Sequence, residues 1–246
     1  MFRFQLRSSG IAAICLLIAA TLGSVLTGVA SSAQPNAARQ PTPAAAYSCE
    51  AAATPAATPA ATPAIGEMAM SDAPVTVNFD QTYIDMMLPH HASVIALAEA
   101  ALPRLENADL QSIAMNIISS QSAEFEELSG LRQEFYGSTT PEPVDVVMTA
   151  MATYMPQAHD MMMADMAMMD SDALVAEFCA QDNADLAFID LVIPHHLSAI
   201  TASEVAATQA THHRIREFAD RVIVEQEAEI EQMTSIRGSL TGTPAA

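Results

Sequence analysis

One stretch of this sequence occurs twice, and that repeat constrains the fold more than any other feature. The first copy is residues 80–99 and the second is residues 185–204, aligned without a gap at an offset of 105 residues. Each copy contains a Pro-His-His triplet, at 89–91 and at 194–196. A repeat that keeps both its apolar pattern and an unusual triplet indicates that one supersecondary unit is present twice.

The same offset continues further along the chain, to a Gln-x-x-Glu pair. Gln121 and Glu124 in the first copy correspond to Gln226 and Glu229 in the second. Residues three positions apart share one face of a helix. Each copy therefore predicts a helix that carries two histidines, followed by a helix that carries a glutamine and a carboxylate on one face.

Hydrophobic residues recur at helical spacing from about residue 78 to residue 237, which predicts an all-α fold. The predicted helices, bounded by capping residues, glycines and prolines, cover residues 78–102, 107–136, 144–169 (broken or kinked at Pro156), a short helix to Cys179, 183–208, and a last helix capped by Thr211 that ends near Arg237. Pro89 and Pro194 each predict a break or a packing kink at matching places. The pattern favours a four-helix bundle made of two repeated antiparallel pairs, joined by a Met-rich helical connection.

The N-terminus has the order of a secretory signal peptide. Arg3 and Arg7 precede an apolar run over residues 11–29, and small residues follow to Ala33. The alternative is an uncleaved membrane anchor, because the apolar run approaches the length that spans a bilayer. We expect an exported protein that is periplasmic, cell-surface or extracellular.

The segment after the signal is rich in Ala, Thr and Pro, which predicts a disordered linker. The predicted domains are a signal peptide at 1–33, a linker at 34–76, a duplicated helical-bundle domain at 77–238 and a disordered tail at 239–246. Cys49 of the linker and Cys179 of the bundle can pair in an oxidising compartment. The sequence leaves that bond open.

The chain is strongly acidic, with a formal net charge of -20 at pH 7. This charge argues against nucleic acid as a partner, because binding to phosphates needs a basic patch. A metal ion is the predicted partner. A membrane tether is expected only if the signal stays uncleaved, and a homodimer is the first expectation for an oligomer.

The paired histidines are the first candidate metal ligands. A single histidine on a helix face is usually a hydrogen-bonded polar residue, but two copies of the triplet favour ligation by His90, His91, His195 and His196. Met87 lies one helical turn before His91, on the same stripe. Glu124 and Glu229 are weaker candidates, since a carboxylate here serves equally well to orient a histidine.

The second candidate set is rich in methionine. Nine of the 16 methionines lie within residues 148–169, and Met151, Met155, His159 and Met163 follow one another at four-residue spacing. Met166 belongs to the same cluster. Methionine is ordinarily a core filler, but nine in one segment exceed what one helix face packs, so exposed sulfur is expected at 161–163. Thioethers beside imidazoles suit monovalent copper or silver; core packing or a partner-binding surface are the alternatives.

Motifs for catalysis are absent from the sequence. It has no GxSxG, CxxC, HExxH or phosphate-binding glycine loop. The helices are rich in carboxylates, but the Glu-x-x-His pairs of di-iron bundles are missing. No enzymatic activity is therefore expected. His212 and His213 lack counterparts in the first copy and are expected at a solvated helix start.

These motifs resemble the bacterial domain-of-unknown-function family 305, over residues 78–237. The resemblance rests on the order Asp-x-x-Tyr-Ile-x-x-Met-x-Pro-His-His, then Gln-x-x-Glu, repeated. It implies a ferritin-like helical bundle, and some exported members resemble copper-binding resistance proteins with His and Met as ligands. Leu191 and Val192 stand where Met86 and Met87 do in the first copy, so the two sites are expected to differ in affinity, or only one binds.

The first hypothesis is thus an exported, non-enzymatic protein that sequesters or hands over copper or silver through His and Met side chains. The alternative is a helical interaction module that binds no metal and contacts a partner through a Met-rich surface. A ferritin-like oxidoreductase ranks third.

Overall fold

The computed structural model describes residues 47–52 and 77–242, and their regular secondary structure is helical throughout, which confirms the all-α prediction. The helices are α1 (Cys49–Ala52), α2 (Phe79–Ala101), α3 (Ala108–Tyr136), α4 (Val144–Tyr154), α5 (Pro156–Ala164), a 3-10 helix (Met166–Met169), α6 (Ser171–Cys179), α7 (Ala184–Gln209) and α8 (His213–Thr241). The predicted signal peptide, most of the predicted linker and the last four residues lie outside the described residues.

Local capping signals place the ends of α2 and α3 close to their predicted positions. The Asn78 side chain accepts a hydrogen bond from the Gln81 backbone N–H, and Asn107 caps α3 in the same way. Such side chains satisfy backbone donors that a helix start leaves free. α3 ends at Gly137, whose φ of 77° is a left-handed conformation that glycine adopts readily.

The start of α8 corrects a prediction. Thr211 does not cap this helix; His212 occupies the capping position and makes no capping hydrogen bond through its side chain. The carboxylate of Asp80, in α2, instead accepts hydrogen bonds from the backbone N–H groups of Thr211 and His212, at 2.8 Å each. Asp185 does the same for Glu106 and Asn107 before α3. These contacts fix the chain that leads into each helix and join residues far apart in sequence, so a local motif does not reveal them.

Two other helix boundaries differ from the sequence prediction. α8 continues through Gly238 to Thr241 and ends at Gly242, which has a φ of 70°, so the end predicted near Arg237 was too early. α2 and α7 continue through Pro89 and Pro194 without a break. One lost hydrogen bond does not end a helix whose two halves are both packed in the interior.

The Met-rich segment is interrupted as predicted at Pro156, where α4 ends and α5 begins. The second part does not run as one helix to Met169 but changes to the 3-10 helix after Ala164. Because the segment forms three short elements, it turns several faces inward and buries more sulfur than expected. The buried methionines of the segment are Met148, Met151, Met155, Met162 and Met168.

The exposure predicted for residues 161–163 holds for only part of that triplet. Met163 is 41% exposed, Met161 is half-buried and Met162 is fully buried. The Met161 sulfur lies 3.6 Å from the Thr201 hydroxyl of α7. Core packing therefore accounts for more of these methionines than the sequence suggested.

Each of the four long helices runs antiparallel to the long helices that pack beside it. α2 packs against α3 and α7, and α7 packs against α8. Two ion pairs link α3 to α8, between Glu127 and Arg221 and between Glu134 and Arg214, so these helices run in opposite directions. α4, α6 and the 3-10 helix cover α2, and α5 covers α7.

Two apolar cores occupy opposite ends of these helices. The first is formed by the start of α2, the end of α3, α4, α5, the end of α7 and the start of α8. The second is formed by the end of α2, the start of α3, α6, the start of α7 and Met233 near the end of α8. Between them, each long helix contributes polar residues to the interior.

The short helix α1 lies within the segment that was predicted to be a disordered linker, so the sequence did not predict this helix. A disulfide joins Cys49 of α1 to Cys179 at the end of α6, across a sequence separation of 130. The Arg104 guanidinium donates a hydrogen bond to the Cys49 sulfur. The disulfide that the sequence left open is thus present, because α1 packs against α6 and so brings Cys49 next to Cys179.

Among the described residues, α7 alone is long and apolar enough to cross a bilayer, and 61% of its apolar window is buried within the protein. The core helix of a folded domain satisfies the same length and hydropathy criterion.

Candidate metal site

The interior layer between the two apolar cores contains ten polar side chains from the four long helices. Its members are His90, His91, Ser93, Gln121, Glu124, His195, His196, Ser198, Gln226 and Glu229. The four histidines are fully buried. They are the same four that the sequence selected, and the repeat offset relates every residue of the first half of the layer to one in the second.

A pair of histidines whose rings are tilted by 37° to each other occupies the centre of the layer. The ring centroids of His90 and His195 lie 3.7 Å apart. Each ring also contacts a serine of the opposite repeat. His90 Nε2 lies 2.8 Å from Ser198 Oγ, and His195 Nε2 lies 3.0 Å from Ser93 Oγ. These crossed contacts tie α2 to α7 at the point where both helices carry their prolines.

The serine hydroxyls determine the tautomers of this central pair. Ser198 donates its one hydrogen to the His195 carbonyl oxygen, at 2.7 Å, so its oxygen accepts from His90 Nε2–H. Ser93 likewise donates to a carbonyl, of His90 or Met168, and accepts from His195 Nε2–H. A neutral imidazole has one N–H, so Nδ1 of each ring keeps its lone pair.

The outer histidines are fixed by carboxylates. His91 Nε2 lies 3.0 Å from the Glu124 carboxylate, and His196 Nε2 lies 2.7 Å from that of Glu229. An ionised carboxylate only accepts hydrogen bonds, so Nε2 again carries the hydrogen. Among the described residues, Nδ1 of all four histidines is buried without a hydrogen-bond partner. A histidine whose other nitrogen donates to a carboxylate or a hydroxyl is the usual arrangement of a metal ligand.

The central histidines are held in their neutral form. Burial lowers the pKa of His90 well below 6.5, and the neighbouring His195, His91 and His196 lower it further. The pKa of His195 is lowered in the same way, first by burial and then by His196 and His91. A metal ligand must have an unprotonated nitrogen, so these two rings are ready to bind a cation at neutral pH.

The stability of the metal-free protein is expected to fall as the pH drops below 6.5, the ordinary histidine value. In that range both histidines bind protons in the unfolded chain but not in the folded protein, where His90 and His195 are buried. The free energy of unfolding therefore falls as the pH drops, and each histidine contributes at most about 1.4 kcal/mol per pH unit. Urea unfolding between about pH 7.5 and about pH 5.5 measures this slope. The double variant His90→Gln, His195→Gln should flatten it, whereas His213→Gln at an exposed position should not; an equal slope in all three proteins would exclude these histidines as its source.

Further polar atoms of the layer have no partner within the described part of the chain. The side-chain oxygen and nitrogen of both Gln121 and Gln226 are buried and make no hydrogen bond, and the same is true of Glu124 Oε1. Buried polar groups are nearly always paired with protein, water or an ion. The layer therefore offers oxygen as well as nitrogen donors.

The predicted thioether ligands fall into two groups. Met87, Met151 and Met155 are fully buried in the first apolar core, which borders the layer, and Met166 packs against that core. Met163 and His159 lie instead on α5, where His159 contacts the adjacent Asp160. In the described residues no three His, Cys, Asp or Glu side chains are already arranged as a metal site.

The sequence-based reasoning missed Ser93 and Ser198, which set the tautomers of the central rings. The signal was available, because both serines stand two residues after a Pro-His-His triplet and so belong to the repeat. It was missed because their role depends on a contact with the opposite copy of the repeat.

The sequence matches the family described as "Domain of unknown function (DUF305)" over residues 80–237. The chain belongs to the DUF305 family. No curated protein matches this chain. Solved structures provide a further comparison.

CopM in the Cu(I)-bound form is 29% identical, with a TM-score of 0.51, and the match covers 65% of this chain and 96% of that one. CopM in the Cu(II)-bound form is 31% identical, with a TM-score of 0.51 and coverage of 65% and 97%. A DUF305 fragment from Deinococcus radiodurans, 23% identical with a TM-score of 0.51 over 66% of this chain and 97% of the fragment, shows likeness of fold alone.

Proposed function

We propose that this DUF305 protein is an exported, non-enzymatic protein that binds copper or silver ions, in order to sequester them or hand them over. Its fold would be a ferritin-like four-helix bundle of two repeated helix pairs, with the metal held in the layer between the two apolar cores. One observation carries the proposal: four fully buried histidines whose Nδ1 atoms lack partners in the described chain.

The donor set fits a soft cation. The Nδ1 lone pairs of His90, His91, His195 and His196 supply nitrogen, and Met87, one turn from His91, supplies a thioether. Met151 and Met155 lie in the core that borders the layer. Imidazole and thioether ligands favour monovalent copper. Because Val192 replaces Met87 in the second repeat, we expect the first repeat to bind more tightly.

Two further observations support the proposal. CopM, which this chain resembles in fold, has been solved in Cu(I)-, Cu(II)- and Ag-bound forms. The disulfide between Cys49 and Cys179 suits an oxidising compartment, which agrees with the predicted signal peptide.

A competition titration with monovalent copper against a chromophoric chelator tests this function. The full chain is compared with a variant in which Met87, Met151, Met155 and Met166 are all changed to Leu, a substitution that roughly conserves volume. We expect binding that weakens by about 10-fold or more in the variant, because a soft cation loses its thioethers.

The other outcomes are also informative. Equal affinity in both proteins would restrict the site to the histidines and remove the thioethers from the proposal. No competitive binding in either protein would overturn metal binding. It would favour the alternative, a helical interaction module with a Met-rich partner surface that includes exposed Met163.

A further inference from the structure

The histidine layer is closed on the side of α2 and α7. The 3-10 helix, α4 and α6 pack over α2, and α5 packs over α7. The carbonyl oxygen of Met168, in the 3-10 helix, accepts a hydrogen bond from Ser93 at 2.6 Å, directly beside the His195 ring. Buried Met162 and Met168 contribute further apolar cover. A cation that approached from this side would have to displace these elements.

The opposite side, between α3 and α8, is where the layer reaches solvent. The four histidine side chains have no exposed surface, but the Glu124 side chain is 9% exposed and the Glu229 side chain is 15% exposed. Each of these carboxylates contacts a histidine through one oxygen. The carboxylates therefore lie between the solvent and the outer histidine rings, which they contact at Nε2.

A third carboxylate lies outside the other two. Glu225 is exposed and follows Arg221 by one helical turn, on the face of α8 that pairs with α3. It precedes Glu229 by one helical turn on the same helix. Partial burial raises the pKa of Glu225 and the charge of Glu124 raises it further, while Arg221 lowers it. The buried, unpartnered amides of Gln121 and Gln226 and Glu124 Oε1 continue the polar path inward.

We propose that the seam between α3 and α8 is the route by which the metal cation reaches the buried histidines, with Glu225 as the outer positioning residue that gathers cations at its mouth. The inference rests on the proposed metal binding. Carboxylates around a cleft raise the local concentration of cations and so the association rate. Exposed Glu225 attracts the ion, Glu124 and Glu229 receive it, and the histidine Nδ1 atoms hold it.

The repeat provides a natural comparison for this role. Ser120 is the counterpart of Glu225 in the first copy, so the equivalent position beside Glu229 has no charge. The first copy therefore lacks a carboxylate at this one position. A glutamate at position 120 would add that carboxylate and should accelerate uptake.

Stopped-flow uptake of silver ions, followed by tyrosine fluorescence of the full chain, tests the route. At low ionic strength Glu225→Gln should slow association by about threefold, and Ser120→Glu should accelerate it by a similar factor. The control is Glu227→Gln, which removes the same charge from an exposed position two residues away on α8 and should leave the rate unchanged. At about 0.5 M salt the differences should disappear, because screening shortens the range of the field.

Different failures have different meanings. If wild type takes up no silver, the proposed function falls and the route falls with it. If wild type takes up silver but Glu225→Gln matches it, or Glu227→Gln slows equally, the route is overturned while metal binding stands. Slower uptake in Met163→Leu with a normal rate in Glu225→Gln would move the route to the Met-rich segment and likewise overturn it.

Discussion

Alanine at both His91 and His196 is expected to weaken the binding of monovalent copper by about 100-fold or more, the upper range found when partners of a metal ligand are lost. The change removes two of the four unpartnered Nδ1 atoms. It also leaves Glu124 and Glu229 without their histidine partners. Competition against a chromophoric chelator measures the affinity, and circular dichroism checks that helix content stays near that of wild type.

Two further variants separate ligand loss from general damage. His213→Ala removes a histidine whose side chain is 69% exposed and should leave the affinity unchanged. The double variant Glu124→Gln, Glu229→Gln keeps a hydrogen-bond acceptor for each ring but removes its charge, so a smaller loss of about 10-fold is expected. Copper affinity that stays at the wild-type value in the His91, His196 variant would exclude this pair from the site.

The sequence predicted best those features that are encoded locally. Asn78, Asn107 and Gly137 mark helix ends through their own backbone and side-chain preferences, and these ends lie close to the predicted bounds. The repeat predicted that the two Pro-His-His triplets would occupy equivalent positions. The structure brings the rings of His90 and His195 into direct contact, although periodicity alone did not indicate which rings would meet.

The features that the sequence did not reveal depend on distant neighbours. Asp80 accepts hydrogen bonds from the chain just before α8, which begins more than a hundred residues later, so no local motif marks this contact. Cys49 looked remote from Cys179 because composition alone described its surroundings as linker. The exposure of each methionine depended on how the segment divides around Pro156, and the burial of Met151 and Met155 follows from that division.

The repeat also contains one ion pair in two copies, one buried and one exposed. The buried copy is expected to contribute more to the free energy of unfolding than the exposed copy. Asp85 pairs with Arg132 between α2 and α3, and both side chains are almost fully buried. Asp190 and Arg237 are the counterparts between α7 and α8, and their side chains are 47% and 50% exposed. Arg132→Ala should lower the free energy of unfolding by about 3–5 kcal/mol, because it leaves a buried carboxylate uncompensated.

The counterpart supplies the matched control, since it has the same residue types and spacing. Arg237→Ala should cost less than about 1 kcal/mol, as exposed pairs do. Urea unfolding of the two variants measures the difference. Equal losses would contradict the argument, because burial would then not be the cause. A third variant, Asp85→Leu with Arg132→Leu, separates pairing from burial. Replacing both charges is expected to restore much of the lost stability, since no unpaired charge remains in the interior.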